Sequence, residues 1–273
     1  MVEPERHTHL PEVDRLSAIT ALILLAFALA HFIRIPAREL SIQLPGLYLG
    51  IQFGAQELIA MLVALMTAGG ADWLLRSHPH PQTRWRIEHW LLPGVTAWAI
   101  GLPLLQLPLH PAWWIGFVFG GVVLVLVLVA EYIVVDPLDI RRAPAAAGLT
   151  AVSFALFLVL VTGLKFAGPR LFLLLPLIGL AIFLVSLRTL RLRFPDGWAF
   201  AEAGLITLIT LQLAAPLHYW PLTPVAFGLF LLGPAYALTN FFGNLAEGKA
   251  LREAVIEPAA VLALIWGAAV LIR

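Results

Sequence analysis

The residues of this chain that could do chemistry are few, and nearly all of them sit near the ends of long apolar runs. One set falls at run ends that also carry most of the arginines: Asp72, Glu88, Glu131, Asp136, Asp139, Glu202, Asn240, Asn244, Glu253 and Glu257. A second set falls at the opposite ends: His31, Arg34, Gln52, Gln56, Glu57, Gln106, His110, Lys165, Gln212 and His218. The middles of the runs hold almost no charge. Ion pathways and proton relays commonly place a carboxylate at mid-depth, so this layering weighs against an ion pump.

Within the first set, Asn240 and Asn244 are four apart and share a helix face. Glu202 and Glu257 lie on the neighbouring runs, which short connections make neighbours in space. A lone carboxylate facing hydrocarbon costs about 3 kcal/mol on insertion scales. The economical arrangement is therefore an inward-facing polar cluster of Glu202, Asn240, Asn244 and Glu257, completed by Arg252 or water. It would lock the register of three helices or line the inner mouth of a substrate path. Within the second set, Gln106 and His110 share a face, as do His31 and Arg34. Together with Glu57, Lys165, Gln212 and His218 they read either as a shallow pocket for a polar or anionic head group or as anchors in the lipid head-group layer.

Asp136 and Asp139, three apart beside Arg141 and Arg142, are of the kind that holds Mg²⁺ and a diphosphate, because Mg²⁺ takes oxygen ligands shared with phosphates. No second aspartate cluster accompanies them, and Pro137 reads equally well as a helix stop. His78-Pro-His-Pro in a loop has two histidines but no further ligand pattern. The chain has no cysteine, which removes disulfides, thiolate metal sites and thiol nucleophiles. No phosphate-binding loop, dinucleotide fingerprint or zinc-protease motif occurs. No catalytic residue, cofactor or metal is expected from these residues.

What must position them follows from composition. Of 273 residues, 61% are hydrophobic and only 12% charged. A soluble domain carries about twice that share of charge. The solvent for most of this surface is lipid, and the expected fold is an all-α polytopic membrane bundle. About 20 apolar residues span a bilayer, and nine runs qualify: 16–33, 57–75, 90–109, 113–135, 145–164, 171–187, 198–217, 222–244 and 255–272. With nine spans, twelve arginines and lysines fall on one side and five on the other. The richer side is expected to be cytoplasmic and to hold the N-terminus. Apolar residues alternate on either side of Pro45-Gly46, which predicts a small outer β-hairpin over 41–53. Gly233-Pro234 marks the expected break within the eighth span.

The whole chain reads as one integral membrane domain with a hint of duplication. Leu-Gln-Leu-Pro-Leu-His at 105–110 is echoed by Leu-Gln-Leu-Ala-Ala-Pro-Leu-His at 211–218, and each leads into a tryptophan-bearing turn. Parallel repeats over 16–135 and 145–244, with 255–272 extra, would explain it; chance similarity of two Leu/Pro-rich ends would too. The net charge of +1 gives no grip on nucleic acid. Three functions remain open: a non-catalytic accessory, scaffold or lipid-binding component, a small-molecule or lipid transporter, and an enzyme acting on a lipid head group. The expected setting is a cell membrane, prokaryotic and cytoplasmic. The expected partners are lipids and either another membrane protein or a second copy.

Overall fold

The computed structural model describes residues 10–32, 38–44, 47–53, 55–78, 87–194 and 197–272. Among these are helices α1 (Val13–Phe32), α2 (Ala55–Leu75), α3 (Ile87–Gln106), α4 (Pro111–Val134), α5 (Arg142–Ala167), α6 (Leu171–Arg193), α7 (Phe200–Tyr219), α8 (Pro224–Ala246) and α9 (Leu251–Ile272). Strands β1 (Arg38–Leu44) and β2 (Leu47–Phe53) precede α2 and pair antiparallel, from Arg38 opposite Phe53 to Leu44 opposite Leu47. The expected hairpin is there, begun three residues earlier than the alternation indicated. Its turn residues, Pro45 and Gly46, lie outside the described residues.

Eight of the described helices are long and apolar enough to cross a bilayer, which makes the architecture that of a multi-pass membrane helix bundle. The ninth, α3, is long enough at about 1.5 Å per residue, but it is not among the eight. Glu88 and His89 in its first turn lower its hydropathy. The nine runs of the sequence correspond to the nine described helices, eight of which meet the length and hydropathy of a span.

The chain divides into two compact units, Met1–Arg142 and Ala143–Arg273. In the first, Ile19, Ile23 and Phe27 of α1 pack with Val63 and Leu74 of α2 and Leu124 and Leu128 of α4. A Cβ added at Gly121 of α4 would lie 3.2 Å from Leu24 of α1. In the second unit, α6, α7 and α8 pack on one another and α9 packs on α8. A Cβ at Gly228 of α8 would meet Thr162 and Leu158 of α5 at 2.7 and 2.8 Å. Helices α5 and α8 end in glycines with left-handed φ, Gly168 at 66° and Gly248 at 78°, a backbone that other residues adopt only at a cost.

Prolines shape the packing. A proline cannot donate to the carbonyl four residues before it, and in lipid that carbonyl needs another donor. Pro234 leaves Phe230 O without its helical donor, and the Trp266 indole of α9 supplies one at 3.2 Å. The expected break at Gly233-Pro234 is therefore absent: α8 runs through it, and a Cβ at Gly233 would meet Leu262 and Trp266 of α9 at 2.8 and 2.9 Å. Pro258 likewise frees Ala254 O, which faces the Asn244 amide at 3.5 Å. Pro108 frees Leu104 O, and the buried Trp113 indole of α4 donates to it at 2.9 Å.

Candidate functional site

Among the described acids of the first unit, the most deeply buried is Glu131, in the last turn of α4 with its side chain 1% exposed. Its Oε2 lies 2.6 Å from Nδ1 of His89 in the first turn of α3. Antiparallel helices joined by a short turn bring one's first turn beside the other's last, so a sequence separation of 42 closes to bonding distance. The other ring nitrogen of His89 is 3.6 Å from Glu88. The imidazole is thus flanked by two carboxylates, one interior and one partly solvent-facing. Around this trio, Trp90 donates to Asp72 at 3.2 Å, Arg76 pairs with Asp72 at 2.6 Å, and buried His78 stacks at a tilt on Tyr132. Both glutamates were visible in the sequence as members of the arginine-rich layer. His89 is not among them, because the third apolar run begins at residue 90, whereas α3 begins at Ile87. Antiparallel pairing of the third and fourth spans was the signal that could have joined it to Glu131.

In the second unit, Asn240 and Asn244 are both buried, as an inward cluster requires. Their company differs from the expectation. Arg193 at the end of α6 lies against Gly243, approaches Asn240 O at 3.4 Å and pairs with Glu247 at 3.5 Å. Lys249 bridges Glu247 at 3.2 Å and Asn244 Oδ1 at 2.9 Å. Glu202 is partly buried near the start of α7, and Glu257 is exposed on α9. Among the described residues, no hydrogen bond or ion pair links either glutamate to the asparagines, so the four do not form one cluster. The reason is rotation: α9 turns Ala254, Pro258 and Ala269 inward, and Glu257, one residue before Pro258, falls about 100° round the helix.

Residues 35–272 match the family described as "Protein of unknown function (DUF5656)". The chain belongs to that family. No curated protein and no solved structure matches it. Family membership therefore assigns no role, and the site geometry carries the reading from here.

Of the second, outer set, the structure joins Lys165 and His218. The Lys165 ammonium at the end of α5 donates to His218 O in the last turn of α7 at 2.8 Å and lies 4.9 Å from the centre of the buried Phe227 ring of α8. His218 Nδ1 is buried with no hydrogen-bond partner. Gln212 is exposed on α7. His110 is the exposed residue preceding α4, in the other unit. Arg34 and the side chains of His31, Glu57 and Gln106 lie outside the described residues.

Asp136 and Asp139 are both buried in the turn between α4 and α5. Asp136 Oδ1 accepts from Leu138 N at 2.9 Å, and Asp139 accepts from Arg141 N at 2.8 Å and from its guanidinium at 2.9 Å. The Asp139 carboxylate raises Arg141 above its ordinary pKa. This is turn chemistry: the two acids satisfy backbone donors where α4 stops. Among the described residues, no group of three or more His, Asp or Glu is placed to hold a metal ion.

Proposed function

We propose that the chain is a non-catalytic integral protein of the cell membrane, N-terminus in the cytoplasm, that binds lipid as an accessory or scaffold component. One observation carries the reading: the Lys165 ammonium, held by α5, α7 and α8, has no carboxylate partner among the described residues. One of its three donors caps the negative end of α7, and two remain. Across residues 143–273, every Asp and Glu falls in or beside the arginine-rich connections and none at this end. An anionic lipid head group is the counter-ion that a membrane supplies at helix ends, and such an attraction is worth about 1 kcal/mol per lysine. The buried Nδ1 of His218 is a second polar atom beside it.

The test is lipid retention. Full-length protein in nanodiscs of mixed phosphatidylglycerol and phosphatidylcholine is examined by native mass spectrometry. Lys165→Met should lower phosphatidylglycerol retention about fivefold, the equivalent of that 1 kcal/mol, with helicity unchanged. Equal retention by both proteins would overturn the reading.

The parallel duplication belongs with this proposal. It is supported by the division of the chain between residues 142 and 143. It is supported too by the way the first helix of each set of four leans on the fourth at a glycine, Leu24 on Gly121 and Leu158 on Gly228. A rotation that superposes α1–α4 on α5–α8 would sustain it; unrelated tilts would dispose of it.

A further inference from the structure

We propose that Glu88, His89 and Glu131 form a proton relay from the arginine-rich face of the first unit to the buried Glu131 carboxyl. The reading is independent of lipid binding at Lys165. The three side chains descend in exposure, 20% for Glu88, 9% for His89 and 1% for Glu131. Imidazole is the one side chain that can accept a proton on one nitrogen while releasing another from the opposite nitrogen. Here the two nitrogens face different acids: Nε2 is 3.6 Å from Glu88, and Nδ1 is 2.6 Å from Glu131. The inner contact is a hydrogen bond. The outer one closes by a side-chain adjustment or one water.

Glu88, protonated from water, gives its proton to Nε2 of a neutral His89 that carries its hydrogen on Nδ1. The Nδ1 hydrogen passes to Glu131 Oε2. Glu88 is left as carboxylate, His89 neutral with its hydrogen on Nε2, and Glu131 as carboxylic acid. No electrons move, and the net result is one proton carried from water to a carboxyl that water does not reach. Release runs the same steps backwards.

Among the described residues, the surrounding elements place further charge beside this line. Asp72 in the last turn of α2 is paired with Arg76 just past it at 2.6 Å, and His78 beyond packs on Tyr132 of α4. Just before and within α1, Glu12 pairs with Arg15 at 2.7 Å. A structural ion pair would need one acid beside the histidine. The second acid, on the exposed side, is what gives the trio a direction. In a family with no assigned activity, such a site gives the first unit a proton-binding function.

The experiment is difference infrared spectroscopy of the reconstituted full chain between alkaline and mildly acidic buffer, with deuterium exchange. The relay predicts a protonated-carboxyl band that is absent in Glu131→Gln and present in Glu88→Gln. In Glu88→Gln, that band should exchange deuterium about a hundredfold more slowly, the lower end of what a positioned acid–base group contributes. An acid-induced carboxyl band unchanged by Glu131→Gln, or exchange unaffected by Glu88→Gln, would overturn the proposal. A further measurement needs no change at Glu131. ¹⁵N spectra of labelled histidine, assigned by His89→Asn, should show the His89 ring changing protonation or tautomer over the range in which the carboxyl band appears. A ring fixed across that range would also overturn it.

Discussion

The arginine-rich ends of the two units hold polar groups in opposite ways. In the first unit the ionisable groups are inside: Glu131 and His89 are buried against each other and bonded at 2.6 Å. In the second unit the interior holds two amides and the Arg188 guanidinium, which does not release its proton, and other charges form a rim. Asn240 and Asn244 are buried, while the side chains of Arg193, Glu247 and Lys249 are 29%, 39% and 41% exposed. A buried ionisable pair is held because neither member can be left alone, since an unpaired buried charge costs far more than a rim charge that water can solvate. Amides have no charge to strand. The first arrangement can therefore store and pass a proton, and the second can only fasten helices.

The largest effect should come from removing one partner of the buried pair. His89→Ala should destabilise the protein by about 3–5 kcal/mol, because it leaves the Glu131 carboxylate buried without its partner, read as a lower midpoint of thermal unfolding in detergent. The double replacement His89→Phe, Glu131→Leu should recover most of that loss, because it removes the polar demand of both groups together. A single substitution without effect would break the contrast between the units.

Next in size is Gly243→Ala in the second unit. A Cβ there meets the Arg193 side chain and must push the guanidinium away from Asn240 O and Glu247. The expected loss is about 1–3 kcal/mol, typical of overpacking, and the thermal midpoint should fall accordingly. A neutral result would mean that Arg193 relocates freely and that the rim does not fasten α6 to α8.

Smaller still, Trp113→Phe should cost about 1 kcal/mol for its hydrogen bond, because Leu104 O, already deprived of a helical donor by Pro108, would be left unpaired. Trp266→Phe tests the equivalent contact to Phe230 O on α8 and should cost less, since Trp266 is 39% exposed. Comparing the two melting curves would show whether proline-freed carbonyls matter more where the donor is buried.

The smallest effect belongs to the rim. Glu247→Gln should change stability by less than about 1 kcal/mol, and raising the salt concentration should erase the difference. If the change were large and insensitive to salt, the rim charges would be acting as a buried network, and the distinction between the units would fail.

Much of the fold was legible in the residues because lipid leaves the backbone few choices. A run such as 113–135 must be a helix for its peptide groups to be satisfied, and it is α4, Pro111–Val134. Alternation around Pro45-Gly46 likewise showed the hairpin. The candidate site was less legible. Asn240 and Asn244 were read correctly as inward residues because one helix relates them, while Glu257 was misplaced because its direction depends on how α9 rotates against α8.

What the sequence determined by itself is whatever one segment settles locally: the apolar spans, their ends, and which polar residues lie at which end. Spacing along a helix is fixed at about 1.5 Å and 100° per residue, so these relations need no partner. What only the tertiary structure decided is which ends meet. His89 and Glu131, Lys165 and His218, and Trp266 and Phe230 O come together across separate helices. The rotation of each helix about its axis, set by glycine contacts and proline-freed carbonyls, chose those partners. A rotation of one residue, about 100°, is enough to turn a buried acid into an exposed one, as Glu257 beside Pro258 shows.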